Sequence, residues 1–424
     1  MIEKVQELAQ NGDVEQAWDL LKELMHHEPN NPQYLIAANY CMQKAGNWAT
    51  AYHFAKASIQ YLPSNPVPYI NLAAACDQMF RLDEGVKACD KAYGLTNDKK
   101  LKALALMNKS SIYINHGMFD KAEKIAEEVV KITPTDKALG NLGMAQLGCG
   151  NWQGWKNYAK CLGTNERLKI DYGLPDWDEE KGTVVVHGEQ GLGDEISFAS
   201  MINDIPNKVV IDCDYRLKGL FQRSFPNAYV HGGRWAEKYQ GKADYQCAMG
   251  DLGLFYRNDD KDFPRKAYLK ADPLRASQWK YLKKSLGKPL IGIAWTGGMA
   301  HTASKFRQFT DEQLKHITNS VDAHFVSLEY KPREPIDNIH VYPHATLTDD
   351  YDDTAALVSE CDLVITMQTA VAHLAGALGV PCHVFVPETS QWRYGSDKFL
   401  WYTDNFVVHK APFNLESIDF ADNI

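Results

Sequence analysis

The chain has 424 residues, of which 45% are hydrophobic and 23% charged, enough for two or three domains with cores of their own. It has neither an apolar run of membrane-spanning length nor a signal-peptide core, and its nine cysteines lack metal-ligand spacing, so we expect a cytoplasmic protein. The net charge of −9 lies almost entirely beyond residue 170, which disfavours non-specific nucleic-acid binding there.

Repeated helix pairs are predicted for the first 165 residues. The segments NGDVEQA, AGNWATA, FRLDEGV, HGMFDKA and CGNWQGW recur about every 34 residues, and markers with Pro, Asn or Asp lie between them. This pattern resembles the tetratricopeptide repeat, which implies a concave face for a peptide or protein partner. A purely architectural role is the alternative. Asn39, Asn71 and Asn108 are candidate amide clamps for such a peptide, or solvated polar positions.

Strands and helices alternate from residue 183 onward, which predicts parallel sheets. One series begins with the strand TVVVHGEQ (183–190) and a second with PLIGIAWTGG (289–298), and PCHVFVP (381–387) is predicted as the last core strand. Two Rossmann-like halves in tandem imply a cleft with a ligand at the carboxyl ends of the strands. The predicted fold class is therefore an all-α tetratricopeptide-like solenoid followed by an α/β fold of two Rossmann-like halves.

Three segments carry groups suited to binding an anion. In GEQGLGDEISFA (188–199) the glycines permit a tight turn, and Asp194 is either a functional carboxylate or only the N-cap of the next helix. In the segment 292–310, Lys305 and Arg307 are candidates for neutralising the negative charge of a diphosphate. Alternatively, they belong to a solvated basic loop. In the stretch 353–379 a buried strand turns into a helix near Thr369, where unpaired N–H groups suit a phosphate.

The second part of the chain resembles the GT-B glycosyltransferases that are linked to tetratricopeptide repeats, which are relatives of heptosyltransferases and of O-linked GlcNAc transferase. The resemblance is carried by GEQGLGDEISFA, by GIAWTGG with its following arginine, and by DTAALVSECDLVIT, QTAVAHLAGALG and WRY. The resemblance covers about residues 182–402. It implies that Asp194 is the catalytic base and that Glu329 and Tyr330 contact the nucleotide base or ribose. Asp353 and Thr354 would cap the helix beside the cleft. The donor diphosphate would be held by Gly193, Thr296, Gly297, Lys305, Arg307, Gln368, Thr369, Ala370, Val371 and His373.

The expected domains follow from the repeats and this resemblance. They are the repeats (1–165), a linker (166–182), an acceptor-side half with the catalytic base (183–286), a donor-side half (287–402) and a tail that packs back on the transferase (403–424).

The implied activity is transfer of a sugar from a nucleoside-diphosphate sugar to an acceptor hydroxyl, with inversion. Two acidic segments could be taken for a metal-binding Asp-x-Asp motif, but the Asp-Cys-Asp at 212–214 ends a strand and the acidic run at 349–353 forms a loop and a helix cap. We therefore expect neither a metal nor any other cofactor. The acceptor is a glycan, a protein or another hydroxyl-bearing molecule.

Many relatives carry Asp where this chain has Gln368. A non-catalytic interaction protein with a degenerate nucleotide-sugar domain is the alternative, and an epimerase of the same fold is a third possibility.

Overall fold

The computed structural model describes residues 1–164, 167–234, 236–298 and 304–421. The chain divides into two compact units, Met1–Lys160 and Cys161–Ile424. The first unit consists of helices and the second contains two parallel sheets with helices, so the predicted fold class is confirmed. Within the described ranges, no helix is both long enough and apolar enough to cross a membrane.

The first unit is a series of helices in which each helix packs against the next along the chain. Asn31 and Asn65 begin two of these helices, each with a side chain that accepts a hydrogen bond from the first turn and a proline at the first helical position. Phe80 takes the left-handed conformation (φ 56°) at a turn where the other pairs have glycine. The helices are α1 (Ile2–Gln10), α2 (Val14–His27), α3 (Pro32–Lys44), α4 (Trp48–Tyr61), α5 (Pro66–Gln78), α6 (Leu82–Gly94), α7 (Lys99–Asn115), α8 (Phe119–Ile132), α9 (Asp136–Gly148) and α10 (Trp155–Tyr158).

The second unit opens with a four-stranded parallel sheet, which we call the N-terminal half. Its strand order is β3-β2-β1-β4, so the direction of winding reverses between β1 and β4. The elements are β1 (Thr183–His187), α11 (Leu192–Phe198), β2 (Lys208–Asp212), α12 (Lys218–Ser224), β3 (Tyr229–Val230), β4 (Tyr245–Ala248) and α13 (Gly253–Tyr256).

A six-stranded parallel sheet follows and forms the C-terminal half. Its strand order, β10-β9-β8-β5-β6-β7, reverses between β5 and β8, and ligands of open α/β sheets bind at such a switch point. The elements are α14 (Pro273–Leu286), β5 (Leu290–Ala294), α15 (Asp311–Ser320), β6 (His324–Ser327), β7 (Ile339–His340), α16 (Pro343–Thr346), α17 (Tyr351–Ser359), β8 (Leu363–Met367), α18 (Ala370–Leu378), β9 (Cys382–Val386) and β10 (Phe406–Lys410).

Two sequence predictions about this half are wrong. The strand at 381–387 is not the last one, because β10 pairs with β9 in parallel register from Phe406 to Lys410. Asp353 and Thr354 do not cap α17, because the helix begins one residue after Asp350, whose side chain accepts the first-turn hydrogen bond. Asp353 instead forms an ion pair with Arg275 on α14 at 2.6 Å.

Buried strands and close-packed helices hold the loops of the switch point in place. Every residue of β5, β8 and β9 is buried, and α18 is buried along most of its length. Thr369 begins α18 and Gly379 ends it in the left-handed conformation (φ 79°), so both ends of this helix are fixed by local chemistry.

Candidate functional site

The N-terminal ends of two helices from different halves meet at Gly193. Gly193 lies in the first turn of α11, and a β-carbon added there would lie 3.0 Å from the His373 side chain and 3.2 Å from the Ala370 backbone on α18. A residue larger than glycine would therefore be in tight contact with α18, which would have to shift by a few tenths of an ångström. The predicted site residues Gly193, Ala370 and His373 are thus neighbours in space.

The loop after β5 also passes close to the start of α18. A β-carbon on Gly297 would lie 2.4 Å from the Thr369 side chain, well inside contact distance. Thr369 holds its own helix start, because its hydroxyl accepts a hydrogen bond from the Val371 N–H at 3.2 Å. The residues after β5 and after β8 thus come together at the switch point, where the sequence predicts the diphosphate.

Glu329 fixes the loop that contains Thr296. Its carboxylate accepts hydrogen bonds from the backbone N–H groups of Trp295 and Thr296, both at 2.8 Å, and from the Thr296 hydroxyl. Arg333 donates to the same carboxylate at 3.3 Å. Glu329 is buried, whereas Tyr330 is half exposed with Lys331 over its ring. Contact of Glu329 and Tyr330 with a nucleotide base or ribose stays a prediction, and the hydrogen bonds give Glu329 a structural role.

Gln368 links β8 to the loop that follows β9. Its buried amide donates to the Thr389 carbonyl at 3.1 Å and accepts from the Gln391 N–H at 3.3 Å. A carboxylate has no proton to donate to a carbonyl, so aspartate cannot make both bonds. The aspartate that the resemblance implies at this position would therefore lose one of the two hydrogen bonds.

Arg307 and Lys305 occupy very different surroundings although they are two residues apart. Arg307 is only 7% exposed, its Nε has no hydrogen-bond partner and, within the described residues, it forms no ion pair. Burial lowers the pKa of Arg307, and the negative charge of Asp194 opposes that effect. Lys305 is exposed, with its ammonium over the Phe306 ring. Of the two predicted cations, only Arg307 is a buried charge near Asp194.

Asp194 is engaged at both carboxylate oxygens. Oδ2 accepts a hydrogen bond from the Gly191 N–H at 3.1 Å. The prediction that Asp194 is the N-cap is wrong in position, because Gly191 is the N-cap and Asp194 caps α11 from the third residue of the helix. Oδ1 forms an ion pair with Nη1 of Arg393 at 2.8 Å. Asp194 is thus both a helix cap and the partner of a buried guanidinium.

Arg393 and Tyr394 are site residues that the sequence interpretation missed. Arg393 is 5% exposed and Tyr394 1%, and the phenol of Tyr394 has no hydrogen-bond partner among the described residues. Burial raises the pKa of Tyr394, so the phenol stays protonated at neutral pH. The available signal is the WRY segment itself, where an arginine stands between two aromatic residues.

His373 is a buried neutral imidazole rather than a cation. Its Nδ1 lies 2.9 Å from the Tyr402 hydroxyl, and burial lowers its pKa to about 3, with a smaller effect from Arg393. It therefore adds no positive charge to the site at neutral pH.

We expect acid to destabilise the folded protein partly through His373. Between pH 6.5 and about 3 the unfolded chain binds a proton that the buried imidazole does not, so stability falls as the pH falls, by up to about 1.4 kcal/mol per pH unit. In His373→Gln the drop in melting temperature between pH 7 and pH 5 should be smaller than in wild type. A residual drop is expected, because burial also lowers the pKa of His187 to about 4. Equal drops in both proteins would refute the role of His373.

A buried network supports the glycine-rich loop of the N-terminal half. Arg167, which precedes β1, pairs with Glu189 in that loop at 2.8 Å and with Asp251 at 2.7 Å. Arg234 pairs with Glu195 at 2.6 Å and donates to the Gln190 carbonyl at 2.9 Å. These contacts fix the backbone on either side of Asp194.

Across residues 1–164, 167–234, 236–298 and 304–421, no three His, Cys, Asp or Glu side chains form a metal-binding cluster.

Two asparagines of the repeats, proposed as clamps for a peptide, bond within the repeats instead. Asn39 is buried, donates to the Ala51 carbonyl at 2.7 Å and accepts from Gln43 at 2.6 Å, so it is not an exposed clamp for a peptide. Asn108 donates to the Ile70 carbonyl at 3.1 Å.

Comparison with known proteins gives partial similarities. Residues 103–136 match the family model described as tetratricopeptide repeat. The chain is 30% identical over 294 residues to Protein FlbA of Caulobacter vibrioides; the match covers 62% of this chain and 49% of FlbA, so the chain spans about half the length of that relative.

Solved structures give weak matches to each unit. A thermophilic TPR protein of Thermus thermophilus is 19% identical, with 39% of this chain and 90% of that chain covered and a TM-score of 0.35. A glycosyl transferase of family 9 from Veillonella parvula is 14% identical, with 58% of this chain and 89% of that chain covered and a TM-score of 0.36.

Proposed function

We propose that this protein is a glycosyltransferase that moves a sugar from a nucleoside-diphosphate sugar to an acceptor hydroxyl. The observation that carries the proposal is the buried Arg307, which has no ion-pair partner among the described residues and interacts electrostatically with Asp194. The neighbour of Asp194, Gly193, lies against the start of α18. A buried cation without a partner is costly, and a diphosphate bound beside it would offset that cost. The resemblance of the sequence motifs to GT-B glycosyltransferases supports the same ligand.

The proposed mechanism assigns separate roles to the two halves. Arg307, the N–H groups at the start of α18 and the loop at Thr296 and Gly297 would stabilise the negative charge that grows on the leaving diphosphate. Asp194 would accept the proton of the acceptor hydroxyl, with inversion at the anomeric carbon. This charge stabilisation uses only protein groups, so we propose that activity survives chelation of divalent metals. The repeats would aid acceptor choice through a peptide or protein partner, and the protein would act in the cytoplasm.

A donor-hydrolysis and transfer assay tests this proposal. UDP-, GDP- and ADP-sugars are incubated with wild type, Asp194→Ala and Asp397→Ala, with and without EDTA, and release of the nucleoside diphosphate is measured. We expect Asp194→Ala to lower the rate at least about 100-fold, since a general base contributes that much. Asp397, an exposed carboxylate outside the site, is the matched control and should leave the rate unchanged. Full activity of Asp194→Ala would exclude this residue as the base.

A non-catalytic nucleotide-sugar binder is the second candidate function. It is favoured by the two contacts of Asp194, because both carboxylate oxygens already have partners and an acceptor hydroxyl would have to compete with them. This candidate predicts that the nucleoside diphosphates raise the melting temperature of wild type while no donor is turned over with any acceptor offered.

A further inference from the structure

Three aromatic rings enclose the guanidinium of Arg393. Its central carbon lies 4.4 Å from the ring centre of Phe198, 4.6 Å from that of Trp392 and 5.6 Å from that of Trp401. Phe198 belongs to α11 of the N-terminal half, whereas both tryptophans follow β9 of the C-terminal half. Stacking on aromatic faces lets a weakly hydrated guanidinium stay charged in a buried place and restricts its rotation.

The nitrogens of Arg393 are used unequally. Nη1 pairs with Oδ1 of Asp194 at 2.8 Å. Nε and Nη2 are buried, and neither has a hydrogen-bond partner among the described residues. These two nitrogens share one edge of the planar group, and their parallel N–H bonds match two oxygens of a phosphate or a carboxylate.

The charges around Arg393 do not balance. Arg393 and Arg307 carry two positive charges against the single negative charge of Asp194, and all three act electrostatically on the buried Tyr394. His373 is neutral, and the start of the nine-residue helix α18 adds its positive dipole end. The cluster therefore carries a net positive charge and favours an anionic ligand.

We propose that Arg393 binds the same diphosphate as Arg307, donating from its Nε–Nη2 edge while Nη1 remains on Asp194. This inference rests on the proposed function, because it takes the ligand to be a nucleoside diphosphate. One guanidinium then contacts both the leaving group and the proposed base. Donor binding thereby sets the position of Asp194 relative to the bond that breaks.

Calorimetric titration of four proteins tests the role of Arg393. Wild type, Arg393→Met, Arg393→Lys and the control Lys398→Met are titrated with pyrophosphate, ADP, GDP and UDP, and with the matching nucleosides. Lys398 is exposed, so the control removes the same charge outside the site. We expect Arg393→Met to weaken diphosphate binding at least about 30-fold and Arg393→Lys about 5- to 20-fold, because lysine keeps the charge but loses the paired donors. Nucleoside affinity should stay within about 3-fold in every variant.

The outcomes separate this inference from the proposed function. If Arg307→Met abolishes diphosphate binding while Arg393→Met stays within 3-fold of wild type, the inference is wrong and the proposed function stands. Equal losses for diphosphates and nucleosides would mean that Arg393 only maintains the fold, which also overturns the inference. If wild type binds none of the diphosphates, the proposed function fails and this inference fails with it.

A second variant keeps the test independent of folding defects in Arg393→Met. Asp194→Asn removes the negative charge that competes for Arg393, and the aromatic rings still hold the guanidinium. We expect this variant to bind pyrophosphate about 3- to 10-fold more tightly than wild type. Weakening as large as that in Arg393→Met would show that Arg393 serves Asp194 alone and would overturn the proposal.

Discussion

Replacing Arg307 with methionine is expected to raise the stability of the ligand-free protein and to weaken diphosphate binding strongly. The stability gain, about 1–2 kcal/mol, follows because methionine fills similar space without burying a charge that has no ion-pair partner among the described residues. The binding loss should be at least about 30-fold, because a desolvated guanidinium that contacts the ligand is removed. Chemical denaturation and calorimetric titration with pyrophosphate measure the two effects on the same preparation.

Lys315→Met is the matched control for this prediction. Lys315 is exposed on α15, so its loss should change the free energy of unfolding by less than about 0.5 kcal/mol and pyrophosphate affinity by less than about 3-fold. If Arg307→Met proves less stable than wild type by more than 1 kcal/mol, the guanidinium is a structural element of the fold rather than a charge held for a ligand.

Replacing Gln368 with glutamate is expected to destabilise the protein by about 2–4 kcal/mol at pH 7. The change is nearly isosteric, but it puts a buried carboxylate against the Thr389 carbonyl and removes the donated hydrogen bond. Burial and this repulsion should raise the pKa of the new carboxyl group above its unfolded value near 4.3, so the loss should shrink as the pH falls. Denaturant unfolding of variant and wild type at pH 7 and pH 5 measures the difference.

Gln391→Glu provides the comparison for Gln368→Glu. Gln391 contributes its backbone N–H to the contact, so the same change in its side chain should cost less than about 0.5 kcal/mol. If both variants lose the same stability, the hydrogen bonds of the Gln368 amide are not what stabilises this loop.

The residues that the sequence places at the switch point come directly after predicted strands, so the ends of those strands determine where they lie. Thr296, Gly297 and Thr369 follow β5 and β8, and once these strands are recognised as parallel, their carboxyl ends must lie at one edge of the sheet. The close approach of Gly297 to Thr369 follows from the same topology.

What could not be predicted depends on packing between distant segments. Lys305 and Arg307 are two residues apart in an irregular loop, and no periodicity indicates which of them is buried. The pairing of Arg393 with Asp194 joins a segment after β9 to a helix of the other half, which local propensity does not encode. The strand β10 was missed because its five residues, FVVHK, include a histidine and a lysine at the sheet edge.

The segment between β9 and β10 has both of its ends in one sheet. It leaves at Val386, reaches α11 of the other half through Trp401 and Arg393, and returns at Phe406 as a neighbouring strand. Because its ends are fixed, the segment moves with the C-terminal half, whereas Asp194 moves with the N-terminal half. If the two halves were to separate, the ion pair between Arg393 and Asp194 would have to lengthen, so its distance would report the extent of that separation.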